Sequence, residues 1–240
     1  MASEPARCSM CAIRDKAVCG ALDQNEIKGL NQIARWRTYK AGDVILVDGA
    51  KSDMLANVVQ GVVKLTKSLD DGRQQIVGLV FPPDFLGRVY RPDSQYFAEA
   101  ATDVELCTFP KEGFERFLHD HPNLEHRLLE NTLSELDACR EWALLLGRKS
   151  AEEKVASFLL MIAKRVPRIG CQHSGEAGAT KFALPLSRAD MADFLGLTIE
   201  TVSRQITKLK TKGVIDLVST RDLSVPSLSK LETVAHQEAA

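Results

Sequence analysis

Three cysteines lie within the first twenty residues as Cys8-x2-Cys11-x7-Cys19, and a fourth, Cys107, stands far downstream in the apolar run Val104-Glu105-Leu106-Cys107-Thr108-Phe109. A C-x-x-C pair puts two sulfurs on one side of a tight turn, within reach of a common metal centre. The third thiol follows after a short loop, which leaves a tetrahedral or cubane site one ligand short. Cys107 is the candidate for that fourth position. The set therefore reads as a metal or iron–sulfur clasp that folds an N-terminal arm onto a neighbouring domain. Zinc is the competing occupant, since four thiolates hold it as readily as iron. Zinc sites usually pair C-x-x-C with a second C-x-x-C or with histidines, and this chain has neither arrangement. The start Met-Ala-Ser-Glu-Pro is polar, so a cytoplasmic location is expected and disulfides are disfavoured. A thiol-redox enzyme fits poorly, because the C-x-x-C lacks a βαβ setting, and no enzymatic activity is expected. Cys139 and Cys171 read as a small helix-seam residue and a loop thiol.

The second chemistry-bearing segment runs from Ser187 to Arg204 and has the outline of a helix-turn-helix. Ser187 caps a two-turn helix, Ala192 is small enough for close helix packing, Gly196 makes the turn, and Thr198 caps a second helix that runs to Lys212 before Gly213. Burying Val202, Ile206 and Leu209 leaves Glu200, Thr201, Ser203, Arg204 and Lys208 outside. Arg204 suits a bidentate contact to guanine, Glu200 accepts from cytosine N4, and Ser203 is a short adaptable partner, so double-stranded DNA is the expected ligand. Lys208, with Lys210 and Lys212 behind it, follows as a phosphate ligand. Val214 to Val225, turning at Thr220-Arg221-Asp222, fits a two-stranded wing.

Both segments need a frame. The 240 residues suffice for two domains with separate cores, and 45% hydrophobic with 26% charged residues is ordinary for a globular protein. Apolar stretches such as Phe158 to Ala163 are too short to span a bilayer, so no membrane partner is expected. Net charge is −1, but residues 1–146 carry 17 Lys and Arg against 22 Asp and Glu, and residues 147–240 carry 14 against 10. A basic back end behind an acidic front suits a polyanion partner.

Asp23 to Ala34 reads as a short amphipathic helix with Leu22, Ile27, Leu30 and Ile33 on one face. From Trp36 to Phe109, β-branched runs (residues 44–47, 58–59, 62–65 and 76–80) alternate with turns at 41–43, 48–49, 60–61 and 70–72, the texture of an antiparallel roll or barrel. A long helix is predicted from Pro122 to Leu146. Its residues Leu129, Thr132, Leu136, Cys139, Ala143 and Leu146 recur at a/d spacing, the seam of a two-stranded coiled coil, while Leu124, Leu128 and Leu145 form a second stripe for its own domain. Thr and Ala make the seam weak, which suits a switchable homodimer. Ser150 and Glu153 form a capping box for a helix to Arg165 that buries Val155, Phe158, Leu159 and Ile162. Pro167 to Thr180 reads as a loop.

On Leu195-Gly-Leu-Thr-Ile-Glu-Thr-Val-Ser-Arg204, His121-Pro-Asn-Leu124, Leu144-Leu-Leu146, Ala151-Glu-Glu153 and the cysteine set, the sequence resembles the cyclic-AMP-receptor-protein/fumarate-nitrate-reductase (CRP/FNR) regulator superfamily, and within it the oxygen-sensing branch. The resemblance covers nearly the whole chain. It implies an α+β fold: an N-terminal antiparallel β-roll of the cyclic-nucleotide-binding type, a long dimerisation helix and a C-terminal winged helix-turn-helix. The implied segments are a cysteine arm at 1–21, the roll at 22–121, the dimerisation helix at 122–146 and the DNA-binding domain at 147–240. It also implies a [4Fe–4S] cluster on Cys8, Cys11, Cys19 and Cys107, and reading of a palindromic TTGAT-type site by Glu200, Ser203 and Arg204. Backbone contacts carry over to Ser187 or Arg188, Thr198 and Thr201. The implied behaviour is DNA binding as a homodimer while the cluster is intact and release when oxygen degrades it, with RNA polymerase as a further partner. A dimer would space its reading helices by about 34 Å, one DNA turn.

The chain departs from the pattern twice. The x7 gap before the third cysteine is longer than in the best-studied arrangement, so the rate of oxygen attack does not carry over. The stretch from Asp84-Phe-Leu-Gly-Arg88 to Tyr96-Phe-Ala-Glu-Ala100 lacks the paired Arg-Ser and the Glu that would hold phosphate and ribose, so no cyclic nucleotide ligand is expected. Around the thiols, Arg7, Arg14 and Lys16 are expected to offset cluster charge, and Met10, Ile13, Val18, Leu106 and Phe109 to exclude solvent.

Overall fold

A computed structural model describes residues 7–169 and 179–236. The chain divides into two compact units, Met1–Lys67 with Gly78–Ala138 and Ser68–Val77 with Cys139–Ala240.

In the first unit, single 3-10 turns at Arg7–Met10 and Val18–Ala21 lead into α1 (Gln24–Ile33). Asp23 caps α1: its carboxylate accepts from the Glu26 amide at 2.8 Å, and Glu26 accepts from the Asp23 amide at 2.8 Å. That reciprocal box starts the helix where the sequence expects it. Eight strands follow: β1 (Arg35–Tyr39), β2 (Val44–Leu46), β3 (Met54–Gln60), β4 (Val63–Ser68), β5 (Gln74–Val80), β6 (Phe85–Leu86), β7 (Phe97–Ala100) and β8 (Val104–Pro110). They form two four-stranded sheets in the orders β1-β8-β3-β6 and β2-β7-β4-β5. The predicted roll is therefore present, with β1, β6 and β7 added to the runs visible in the sequence.

Strand alternation decides where the fourth cysteine goes. Successive side chains point to opposite faces. On β3 and β8, Ala56, Val58, Val104 and Leu106 enter the roll interior with Leu46, Val63, Leu65 and Val80. Leu55, Cys107 and Phe109 face the other way, into a second core built with Leu30 of α1, Phe114 and Leu118 of α2 (Lys111–Asp120), and Leu124 and Leu128 of α3 (Pro122–Arg148). Helix α2 is a structural addition, because Lys111-Glu-Gly-Phe-Glu-Arg carries too short an apolar pattern to stand out. The second core corrects one expectation: Leu106 lines the roll interior, not the cysteine face.

In the second unit, α4 (Ala151–Ile169) begins at the Ser150–Glu153 box, with the Ser150 amide donating to Glu153 Oε2 at 2.7 Å. It continues through Pro167 to Ile169, so the first residues of the predicted loop are helical, and residues 170–178 of that stretch lie outside the described residues. Then come β9 (Thr180–Ala183), α5 (Arg188–Leu195), α6 (Ile199–Thr211), β10 (Asp216–Leu217), β11 (Asp222–Val225) and α7 (Leu228–Ala235). The wing is a three-stranded sheet, β10-β11-β9, because β9 pairs with β11 from Asp222↔Ala183 to Val225↔Thr180. The sequence offered two strands because β9 is a four-residue piece that lies thirty-nine residues before its partner β11. Trp142 stacks on Phe194 with ring centroids 4.0 Å apart, and Phe158 meets the same ring edge-on at 5.7 Å. No helix among the described residues is long and apolar enough to cross a membrane.

Candidate functional site

The arm reaches Cys107 through its own apolar side chains. Ile13, Ala17, Val18 and Leu22 are buried in the same core as Cys19, Cys107 and Phe114, and Cys8 and Cys11 pack against that core. Gly20 makes the close turn possible: a Cβ there would stand 2.8 Å from the Asp15 carbonyl and 2.9 Å from that of Arg14. The Cys8 thiol donates to Asn31 Oδ1 at 3.0 Å, which ties the first cysteine to α1. All four expected ligands thus gather at one region, and no disulfide joins them. Cys139 is exposed on α3, and Cys171 lies outside the described residues.

The electrostatics follow from burial. Burial, then the neighbouring Cys11 and Cys8, pushes the Cys19 thiol up to about 12, with Arg14 opposing. Cys107 is raised by burial first, then by Cys8, Cys19 and Cys11. Cys8 is raised by burial and then by Cys11, again against Arg14. Burial and mutual repulsion thus favour the protonated thiols at Cys8, Cys19 and Cys107, and Arg14 is the cation that opposes the shift at Cys8 and Cys19. Arg14 is therefore the arm cation that reaches the thiols, whereas Lys16 is exposed and the Arg7 side chain lies outside the described residues. Met10, expected as a shield, is 77% exposed, and the shielding comes from Ile13, Val18, Phe109 and Phe114.

A residue that sequence reasoning passed over sits beside Cys107. Asn57 on β3 lies directly opposite Cys107 in the ladder, is 1% exposed, and its Oδ1 has no hydrogen-bond partner among the described residues. Polar atoms are rarely left so in a core. Its only sequence signal is an Asn inside the run Leu55-Ala-Asn-Val-Val59. Among the described residues, no three His, Cys, Asp or Glu side chains stand close enough to hold a single metal ion. Four thiolates are a donor set that suits an iron–sulfur cluster and a tetrahedral zinc ion alike.

The helix-turn-helix forms as expected. Ser187 caps α5, accepting from the Asp190 amide at 3.1 Å while its own amide donates to Asp190 Oδ2 at 3.1 Å. Gly196 closes α5 in the left-handed conformation at φ 60°, which a Cβ would strain. The Thr201 amide donates to Thr198 Oγ1 at 3.2 Å, capping α6. Val202, Ile206 and Leu209 are buried, and Glu200, Ser203 and Arg204 are exposed on the first two turns. Thr201 accepts from the Arg204 guanidinium at 3.4 Å. The Glu200 carboxyl is held below the usual range by the backbone amide of Glu200 and by the Thr198 hydroxyl, so it stays an acceptor.

Two expected backbone ligands are otherwise engaged. Arg188 is half-buried and donates to Met191 Sδ at 3.5 Å and to the Thr220 carbonyl at 3.4 Å, joining α5 to the wing turn. Lys208 Nζ lies 2.7 Å from Glu152 Oε2. Glu152 was not a sequence candidate; the paired lysines four residues apart were its only signal.

On α3, the second stripe behaves as predicted, with Leu124, Leu128 and Leu145 buried. The seam positions Leu129, Thr132, Leu136, Cys139 and Ala143 are exposed and Leu146 is partly so. Leu133 (53%) and Leu144 (62%), outside the a/d reading, join Leu129 (54%) and Leu136 (44%) on the exposed face. Thr132 spends its hydroxyl on the Leu128 carbonyl at 2.8 Å.

A β-roll, a long helix with an uncovered apolar stripe and a winged helix-turn-helix with an exposed reading face are the parts of a DNA-binding regulator. Residues 36–121 match the cyclic nucleotide-binding domain family, and residues 153–234 match the Crp-like helix-turn-helix domain family. A probable transcriptional activator of Rhizobium leguminosarum bv. viciae is 47% identical over 228 residues, covering 95% of this chain and 92% of that protein. The transcriptional activator protein FnrL of Cereibacter sphaeroides is 47% identical over 225 residues, covering 94% and 90%. Among solved structures, FixK2 from Bradyrhizobium japonicum has a TM-score of 0.76 at 31% identity, covering 86% of this chain and 100% of that one. The chain belongs to the CRP/FNR family of transcription regulators.

Proposed function

We propose that this regulator is an oxygen-responsive transcriptional activator whose Cys8, Cys11, Cys19 and Cys107 hold a [4Fe–4S] cluster. The observation that carries the reading is the gathering of these four thiols, from two distant parts of the sequence, in one buried region. When bound, such a cluster supplies an oxygen-labile link between arm and roll. The chain's own residues do the rest. Ile13, Val18, Phe109 and Phe114 limit water, Arg14 offsets thiolate charge, and Asn57 offers a polar group beside Cys107. The exposed stripe on α3 is the dimer surface, and its modest apolar content leaves the monomer–dimer balance open to a shift of a few kcal/mol, about the scale a site closure supplies. The dimer reads TTGAT-type palindromes through Glu200, Ser203 and Arg204, acts with RNA polymerase, and works in the cytoplasm.

Cyclic nucleotide has no place in this reading despite the domain match. The stretch from Asp84 to Ala100 lacks the paired Arg-Ser and the Glu that would hold phosphate and ribose. Anaerobic purification with iron and sulfide counted per chain is the test. Four of each, lost together with palindrome binding on exposure to air, is the expected result. A colourless chain that carries zinc and binds DNA equally in air overturns it.

A further inference from the structure

Two of the lysines expected to meet phosphate, Lys208 and Lys212, already have an anion. Glu152, in the first turn of α4, places one carboxylate oxygen on each of two lysines, Oε2 at 2.7 Å from Lys208 Nζ and Oε1 at 2.6 Å from Lys212 Nζ. The lysines lie four residues apart, so one helical face presents both to a single carboxylate. The carboxylate is fixed rather than floating. Its neighbour Glu153 is spent on the Ser150 cap, which sets the first turn of α4, and Val155, Phe158 and Leu159 bury the helix beneath. The Glu152 side chain is only 16% exposed, whereas Lys208 is 51% and Lys212 43% exposed. Burial raises the Glu152 pKa, but the hydrogen bonds from Lys208 and Lys212 outweigh it, and the group stays below its ordinary value and charged.

We infer that Glu152 is a resident counter-anion that withholds Lys208 and Lys212 from DNA phosphates and thereby sets the sequence-independent part of DNA affinity. The electrostatic term in DNA binding comes from cations that neutralise phosphates and release counterions. A lysine already neutralised by a fixed carboxylate gives little of that term, because engaging phosphate means abandoning an equivalent partner. Glu152 sits on α4, outside the helix-turn-helix, and pairs with the C-terminal end of α6 rather than with Glu200, Ser203 or Arg204. Its effect therefore falls equally on all sequences. The inference rests on DNA binding by the family and is independent of what occupies the thiol site.

The test is a salt titration of full-length, anaerobically purified protein on a random-sequence duplex and, in parallel, on the TTGAT palindrome. In Glu152→Gln, four lysines per dimer become available, so the slope of log K against log salt should steepen by up to ~3.6. Affinity should rise by the same factor on both duplexes. Glu152→Gln with Lys208→Gln and Lys212→Gln should return the slope to that of the wild type. An unchanged slope in well-folded Glu152→Gln overturns the inference. If that variant does not fold, Lys208→Gln with Lys212→Gln in the wild-type background decides. A slope change under about one unit supports withheld lysines, and a flattening by about 3.6 shows that they grip phosphate in spite of Glu152. The random duplex separates this outcome from failure of the TTGAT reading, which affects the palindrome alone.

Discussion

Shortening Val18 to alanine should loosen the cysteine arm without touching a thiol. Val18 is 0% exposed, and the arm's backbone bonds are local, such as Ala17 N–H to Ile13 O at 2.9 Å and Gly20 N–H to Ala17 O at 3.0 Å. Apolar burial therefore supplies the docking. Removing two methyl groups forfeits about 0.8 kcal/mol each, and the cavity left in the core that Val18 shares with Leu30 and Phe114 brings the total to about 1.5–3 kcal/mol. At 1.4 kcal/mol per factor of ten, the ratio of docked to undocked arm should fall about 10- to 150-fold. Hydrogen exchange of the Ala17, Gly20 and Leu22 amides in the metal-free chain reads that ratio directly, and their rates should rise by the same factor if the arm opens as a unit. Iron retained through anaerobic desalting should fall in parallel, because an undocked arm presents three thiols to a solvent-filled gap. Amide exchange within about twofold of wild type would refute the reasoning, since docking would then depend on something other than this core.

Three further outcomes are expected. Arg204→Ala and Glu200→Ala should each cost about 1–3 kcal/mol per half-site and relax preference at one base pair, measured by titration on single-base variants; equal losses on every variant would make the side chain a phosphate ligand. Leu136→Asp should abolish self-association and Cys139→Leu should strengthen it by about 1–2 kcal/mol, read by sedimentation, and a Cys139→Leu chain as monomeric as wild type would put the dimer surface elsewhere. In the metal-free chain at neutral pH, iodoacetamide should label exposed Cys139 well before Cys19. Burial and its neighbouring thiols push the Cys19 pKa up to about 12, so its thiolate fraction, and its labelling, should rise about tenfold per pH unit below that value. Equal labelling of Cys19 and Cys139 at neutral pH, by peptide mass spectrometry, would mean the arm is undocked.

The sequence by itself determined the parts whose physics is local. Asp23 and Glu26, Ser150 and Glu153, Thr198 and Gly196 start or stop helices through bonds made within a few residues, so their type and spacing suffice. Periodicity likewise separated the buried Leu124, Leu128 and Leu145 from the exposed side of α3. The cysteine spacing raised the metal-type site that is proposed above, and the helix-turn-helix announced its DNA ligand. Tertiary structure decided what depends on partners remote in the chain. Whether Leu106 or Cys107 faces the arm is a matter of strand parity against β3. Whether Met10 shields the thiols depends on which side of the arm the core captures. The third strand of the wing appears only when β9 meets β11, across the intervening helix-turn-helix. Lys208 looked like a phosphate ligand because an exposed lysine on a reading helix normally has only solvent before it. Glu152, fifty-six residues earlier in the chain, gave it another partner, and a charge pair across helices is written in space rather than in spacing.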